Sequence, residues 1–326
     1  MHTALVTGAS GCVGSALVLR LHQSGVRVRA LIRQGSTTQV LEGTPAEIHR
    51  GDICDARILR SAMEGCDTVF HTAALVTFAR KAEDERHRVN VQGTRAVVTS
   101  CIDAGVGTLV HTSSVTTVGT PPVGQLADET MRADRSAARG YKLSKILAED
   151  EAMAGAGRGL RCLIVNPSVI IGERDIRFHA GQLIRDIKKG RIPFYVKGGM
   201  NIVYVGDVAV GMISAAQRGR TGERYILAGE NLTHEEIFRR TAALVGGRPP
   251  FGRLPLPLLR GAATIVEMIS GVLGIEPPLT RDMAAVAGRY HWFSAARAER
   301  ELVFRPTSFD RTILAAYDWY RRNGYL

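Results

Sequence analysis

Cysteine is scarce and shows no pairing pattern: five residues in 326, at positions 12, 54, 66, 101 and 162, with no Cys-x-x-Cys. An odd, scattered set of this kind excludes a disulfide scaffold and a thiolate zinc site, and it fits reduced thiols in a cytoplasmic protein. No other metal-ligand spacing occurs, so no metal is expected. Aromatic residues supply only 6% of the chain, and no segment interleaves them with basic residues as a base-stacking surface would. Long apolar runs are missing too. The longest, 261–275, is interrupted by Glu267 and falls short of the roughly 20 residues a membrane span needs. Residues 3–7 already read as a strand with no charged segment before them, so no secretory signal is expected. Acidic residues are outnumbered, 31 against 42 Lys plus Arg, giving a net charge of +11. The excess is spread in small groups such as Arg132/Arg135/Arg139 and Arg218/Arg220/Arg224, which describes a solvated basic surface and no nucleic-acid partner.

What is present is a sizeable apolar fraction, 45%, in a chain long enough for one large or two unequal domains. Apolar, β-rich runs near 3–7, 26–32, 46–50, 67–71, 107–113 and 160–165 alternate with helical periodicity. Strand followed by helix, repeated, predicts an α/β fold with a doubly wound parallel sheet and helices on both faces. Asp55 is placed to cap a helix that Gly65 stops. After Asn166-Pro167 the pattern loosens, with prolines at 193, 249, 250, 255, 257, 277 and 278. The expectation is a smaller, mainly α substrate lobe formed by about 167–199 and 230–326. It interrupts a nucleotide-binding domain made of 1–166 and about 200–229, whose late strands, near 202–205 and 223–228, return to the main sheet.

The first strand runs into Thr7-Gly8-Ala9-Ser10-Gly11-Cys12-Val13-Gly14 and then a helix, 15–21. Gly8 permits a tight exit from the strand, Gly11 lets backbone approach a diphosphate, and Gly14 lets helix and strand pack closely while helix N–H groups face the anion. Ser10, Cys12 and Val13 belong to the same turn. Downstream, Tyr141 and Lys145 are four apart and share one helix face. A phenol titrates at about 10, and a neighbouring ammonium favours its ionised form, so the pair is suited to proton exchange with a carbonyl or carbinol oxygen. Lys145 is also placed to hydrogen-bond the cofactor ribose. At the end of the second strand, where an acid would bind a ribose 2′-hydroxyl, Arg33 stands instead. An arginine can grip a 2′-phosphate with two hydrogen bonds, so NADP(H) is preferred and NAD(H) is the second option. His71, Ala73 and Ala74 close the fourth strand, where small residues let the chain pass an adenosine; His71 reads as a packed histidine on the cofactor side. Pro167 and Ile170 would border the nicotinamide.

The glycine spacing at 8, 11 and 14, joined to Tyr141-Lys142-Leu143-Ser144-Lys145, resembles the extended short-chain dehydrogenase/reductases. Asp67-Thr68-Val69-Phe70-His71-Thr72-Ala73-Ala74, Val165-Asn166-Pro167-Ser168 and the stretch 222–233 bring it nearest to dihydroflavonol-4-reductase-like members, including those labelled hopanoid-associated sugar epimerases. The resemblance implies a Rossmann-type sheet and makes Ser114, the second of the hydroxyl pair Ser113-Ser114, the third catalytic residue beside Tyr141 and Lys145. It implies that Asp52 reaches the adenine amino group, that Ile53 packs on that ring and that Asn90 is structural. It also implies a homodimer through the Tyr141 helix and a helix near 84–104. Dehydratases of the superfamily carry Asp-Glu after the strand hydroxyl, and Val115-Thr116 stand there in this chain. Epimerases often show Asn-Pro before the tyrosine, where this chain has Arg139-Gly140. The resulting expectation is a ketone/secondary-alcohol oxidoreductase, with a nucleotide-sugar epimerase as the alternative and a non-catalytic dinucleotide sensor behind both. Phe178, Phe194, Tyr195, Met200 and an apolar helix at 258–274 are candidates to line a hydrophobic pocket for a cyclic, small-molecule substrate. That helix is expected to be buried in the lobe rather than laid on a membrane surface. Asp128-Glu129, in the loop 120–139, is expected to be solvated or to cap the loop.

Overall fold

The computed structural model describes residues 1–77, 79, 82–273 and 281–326. Its first half alternates β1 (Thr3–Thr7), β2 (Arg27–Ile32), β3 (Glu47–Arg50), β4 (Thr68–His71), β5 (Thr108–Thr112) and β6 (Arg161–Pro167) with helices α1 (Cys12–Gln23), α2 (Ala56–Met63), α3 (Glu83–His87), α4 (Gly93–Asp103) and α5 (Gly140–Gly157). The second half adds strands β7 (Val169–Ile171), β8 (Phe194–Tyr195), β9 (Gly199–Tyr204), β10 (Arg224–Leu227), β11 (Glu230–Thr233), β12 (Gly252–Arg253) and β13 (Tyr290–His291). Its helices are α6 (His179–Lys188), α7 (Val205–Arg218), α8 (His234–Val245), α9 (Leu256–Leu273), α10 (Arg281–Val286), α11 (Ala296–Glu301) and α12 (Phe309–Arg322).

Seven strands form one parallel sheet in the order β10-β6-β5-β4-β1-β2-β3. Helices cover both faces, so its central strands are apolar on both sides: Ala4, Leu5 and Val6 are fully buried. Alternation still sorts them, with Ala4 and Val6 packing into the cluster that holds Leu17, Val208 and Met212, and Leu5 into the one that holds Leu59, Val97 and Leu109. Strand order reverses between β1 and β4, which opens a crevice at the carboxyl ends of the strands. Asp55 caps α2 by accepting the Arg57 N–H at 2.9 Å.

Three features differ from the sequence expectation. Of the two late strands, only β10 joins the large sheet, on β6; β9 pairs with β7, β11 and β13 in a second sheet at the base of the lobe. That sheet is backed by Ile184, Ile237, Ile313 and Tyr320 from α6, α8 and α12. The helix anticipated at 84–104 is broken into α3, a π turn at Arg88–Gln92, and α4. Glu129, anticipated as solvated or capping, is buried: its carboxylate accepts the Ile226 N–H at 2.9 Å, and burial raises its pKa. Its neighbour Asp128 does cap the loop, through Thr130. Gly274, at the end of the anticipated 258–274 helix, Ile275, which ends the longest apolar run, and Pro277 and Pro278 lie outside the described residues.

Candidate active site

The turn after β1 forms the floor of a cleft of about 360 Å³. Gly8 is left-handed, at φ +68°, and a Cβ there would stand 2.7 Å from the Ala73 backbone; one on Gly14 would stand 2.3 Å from the Gly8 carbonyl oxygen. Neither position tolerates a side chain. Gly11 stands at the N-cap of α1 and offers no side chain, so the first-turn N–H groups of Cys12, Val13 and Gly14 are left for an external acceptor. A helix N-terminus stripped of side chains and backed by its dipole is a cradle for an anion, and a dinucleotide diphosphate fits it.

Gly8, Ser10, Gly11, Cys12, Val13 and Gly14 line this end, and Arg33, Asp52, Ile53, Ala73 and Ala74 extend it outward. Asp52 accepts the Cys54 N–H at 2.8 Å and pairs with Arg88 at 2.9 Å; partial burial works against its charge, but these contacts prevail and its pKa is lowered. His71 does not line the cleft. It is buried behind the wall between the Thr7 hydroxyl, at 2.8 Å, and the Thr94 hydroxyl, at 3.0 Å, and burial together with the Lys145 charge lowers it to about 3. It stays neutral at ordinary pH.

At the other end Ser114, Tyr141, Lys145, Pro167 and Ile170 face the same space. Tyr141 shares a hydrogen bond with the Ser114 side chain. Burial pushes the phenol up to about 12, with the Ser114 contact opposing, so these groups alone do not carry it toward neutrality as its spacing from Lys145 suggested. The reason lies in where Lys145 is directed: its ammonium, buried, donates to the Thr112 carbonyl at 2.6 Å. Burial lowers Lys145 to about 8, and the Glu149 carboxylate works the other way.

Behind these residues sits a buried polar network that motif reading passed over. Glu149 Oε1 accepts from the Thr117 hydroxyl and from Asn166 Nδ2, both at 2.7 Å, and Arg224 Nε lies 3.3 Å from Oε2. Asn166 also donates to the Ser114 carbonyl at 3.1 Å, which fixes the backbone that carries the Ser114 hydroxyl. Glu149 is one helical turn beyond Lys145, so it was visible in sequence; Arg224 comes from β10 and was not. Asn90 is presented by the π turn. Its Oδ1 accepts the Leu75 N–H at 2.7 Å and its Nδ2 donates to the Ser144 hydroxyl at 3.0 Å, tying the cleft wall to the Tyr141 helix.

The cleft also takes residues that the sequence did not single out: Leu31, Thr72, Leu75, Val76 and the segment Asp175-Ile176-Arg177. That segment is bounded by left-handed Arg174 and Phe178, at φ 64° and 59°, conformations that no residue pattern announced. The anticipated pocket residues are elsewhere. Phe178 packs on Tyr320, with ring centroids 4.9 Å apart, Met200 packs against the lobe core, and Phe194 is half exposed.

One end of this cleft is shaped for an anion and the other groups a hydroxyl pair with a buried lysine, with the carboxyl ends of the strands between them. That layout defines an NAD(P)-dependent oxidoreductase of the extended short-chain dehydrogenase/reductase type. The chain belongs to the NAD dependent epimerase/dehydratase family, whose model matches residues 4–228. It is 35% identical to a putative dihydroflavonol 4-reductase of Synechocystis sp., covering 98% of this chain and 95% of that protein. It is 32% identical to a 4-hydroxy-2-methyl-3-oxo-4-farnesyl-3,4-dihydroquinoline-1-oxide ketoreductase of Stigmatella aurantiaca, over 91% of this chain and 90% of the relative. Among solved structures it resembles gox2253 at 36% identity and a TM-score of 0.89, each chain covered completely.

Proposed function

We propose that the chain reduces a ketone on an apolar cyclic molecule, or oxidises the matching secondary alcohol, with NADP(H) as the preferred cofactor. The observation that carries this reading is the Ser114–Tyr141 hydroxyl pair beside buried Lys145, in one cleft with the diphosphate cradle. A nicotinamide held there supplies or accepts the hydride. Tyr141 Oη delivers the proton to the substrate oxygen, and a phenol raised to about 12 is held in the neutral, donating form that reduction needs. Ser114 donates a second hydrogen bond to that oxygen as negative charge builds. Lys145 holds the helix against β5 through Thr112 and turns its remaining donors to the cofactor ribose. Both relatives described above are named as reductases, and one is named for the ketone of a farnesyl-bearing dihydroquinoline-1-oxide.

The preference for NADP(H) rests on Arg33, which lines the outer end of the cleft where a carboxylate would select NAD(H). Five free cysteines support a cytoplasmic location. The α4 and α5 faces, linked by Arg95–Glu151 at 2.6 Å, are the proposed dimer contact. Fluorescence titration with NADPH and NADH, followed by a screen of cyclic ketones and nucleotide sugars, tests the reading. Arg33→Asp is expected to move the NADPH/NADH affinity ratio roughly 10- to 100-fold, the worth of a charged hydrogen bond. An unchanged ratio refutes the 2′-phosphate role, and turnover of nucleotide sugars without net loss of cofactor would replace reduction with epimerisation.

A further inference from the structure

Helix α9 departs from its sequence expectation in a way that creates a surface. At about 100° per residue, Leu258, Ile265, Met268 and Ile269 fall on one side. They are 61%, 55%, 65% and 51% exposed, while Ala263 and Ser270, on the opposite side, are buried. The helix is therefore apolar on the face it turns to water. Just before it Phe251, 87% exposed, sits on a short ribbon where β12 pairs with β8. Large contiguous apolar surface facing solvent is uncommon on a soluble monomer and marks a docking site.

The charges around it identify what docks. From 246 to 273 the chain carries Arg248, Arg253 and Arg260 against the single acid Glu267. Glu267 is itself taken by Arg281, at 2.6 Å. Among the described residues Arg248, Arg253 and Arg260 form no ion pair, and the one acid that feels any of these charges is Glu235, lowered in part by Arg253. Arg248 also packs against Gly190, beside Lys188 and Lys189; Arg191 of the same run pairs with Asp186 at 3.6 Å. An apolar face with a cationic surround matches an anionic phospholipid surface, with α9 lying in the plane of the headgroups. The helix does not span: no helix among the described residues is long and apolar enough to cross a membrane.

We propose that α9 and Phe251 dock the enzyme on an anionic bilayer. The surface connects to the loop that follows Ser114, because Leu256 packs on Gly288 and the following strand β13 places His291 3.4 Å from Thr120 in that loop. Docking itself does not depend on the substrate assignment, and its test uses no substrate.

Flotation of the full chain with vesicles of equal parts phosphatidylcholine and phosphatidylglycerol, compared with vesicles of phosphatidylcholine alone, reads the proposal directly. Association with the anionic vesicles, weakening as salt rises, is expected. Ile265→Ser combined with Met268→Ser should cut partition about tenfold or more, and Arg253→Gln and Arg260→Gln roughly fivefold each. Thermal melting checks that each variant is folded. Phe251→Ser, at a nearly fully exposed position, supplies the apolar test if the helix variant melts early. A chain that stays with the soluble fraction, or folded apolar variants that float like the parent, would overturn the proposal. So would sedimentation showing a dimer that the serine variants dissociate, since the stripe would then belong to a second copy of the chain.

Discussion

The sheet half and the lobe hold their functional groups by different means. In the sheet half Thr112, Ser114, Tyr141 and Lys145 hang from a parallel strand end and a helix packed on it, and a buried network of Glu149, Thr117, Asn166 and Arg224 braces them from behind. The lobe reaches the cleft through Ile170 of β7 and through the segment Asp175-Ile176-Arg177, which runs between two left-handed residues. Reaction chemistry needs sub-ångström placement, which packed elements give; closing over ligands of varied shape tolerates a segment held more lightly. Damage to the first region should therefore appear in rate, and damage to the second in ligand affinity with the rate preserved.

The largest expected effect comes from removing the acid itself. Tyr141→Phe deletes the proton donor and leaves the ring that fills the site. Turnover should fall by about 10²- to 10⁴-fold while the dissociation constant for NADPH, read by fluorescence, stays close to that of the parent. Full turnover in this variant would remove Tyr141 from the chemistry and dissolve the contrast between the two regions.

Glu149→Gln probes the brace and is expected to act at a smaller scale through Lys145. The Glu149 carboxylate opposes the burial that brings Lys145 down to about 8, so neutralising it should lower Lys145 further. If the ammonium form is the active one, kcat/KM falls as pH rises through that value, and the alkaline limb of the variant should move to lower pH. Stability gives an independent sign. The folded chain gives up the Lys145 proton near 8 and the unfolded chain only near the ordinary 10.5, so the unfolded state binds more protons in that window and the contribution of Lys145 to stability rises with pH there. The variant should widen the window. Arg224 would meanwhile lose its buried counter-charge, a loss worth about 3–5 kcal/mol when an ion pair is broken on one side, which melting would register. A melting loss with an unmoved pH limb would make Glu149 purely structural.

The two regions were unequally readable in the sequence. β1 and its glycine turn, the Tyr141–Lys145 spacing and the alternation of strand with helix are local features, each contained in a single strand-turn-helix unit, and periodicity reports them. Long-range partners are invisible to that reasoning. Glu129 looked solvated because nothing near it in sequence reveals that the Ile226 N–H arrives from β10. β9 looked like a strand of the large sheet because its apolar content is the same in either sheet, and pairing with β11 decides the matter. The π turn that aims Asn90 lies inside an uninterrupted helical pattern, and the apolar run of α9 reads the same whether its outer face is covered or wet. The direction of the Tyr141 shift was misjudged because spacing shows that Lys145 is near but not that its proton is directed at Thr112.

The smallest effect, and the one that tests how lightly the lobe segment is held, is expected from Tyr320→Phe. Tyr320 lies on α12, fully buried in the lobe core, and its hydroxyl donates to Asp175 Oδ2 at 2.9 Å; burial and the neighbouring Asp175 charge push the phenol far up, so it remains a donor at every working pH. Phenylalanine keeps the ring contact with Phe178 and removes only that donor. A buried carboxylate deprived of one hydrogen bond costs about 1–3 kcal/mol, so the melting temperature should drop by a few degrees. Because Asp175 and Arg177 line the cleft together, dinucleotide affinity should weaken as well, with kcat held near the parent value. A fall in kcat comparable to the fall in affinity would mean that the lobe positions the reacting groups themselves, and the division between a braced chemical half and a lightly held covering half would fail.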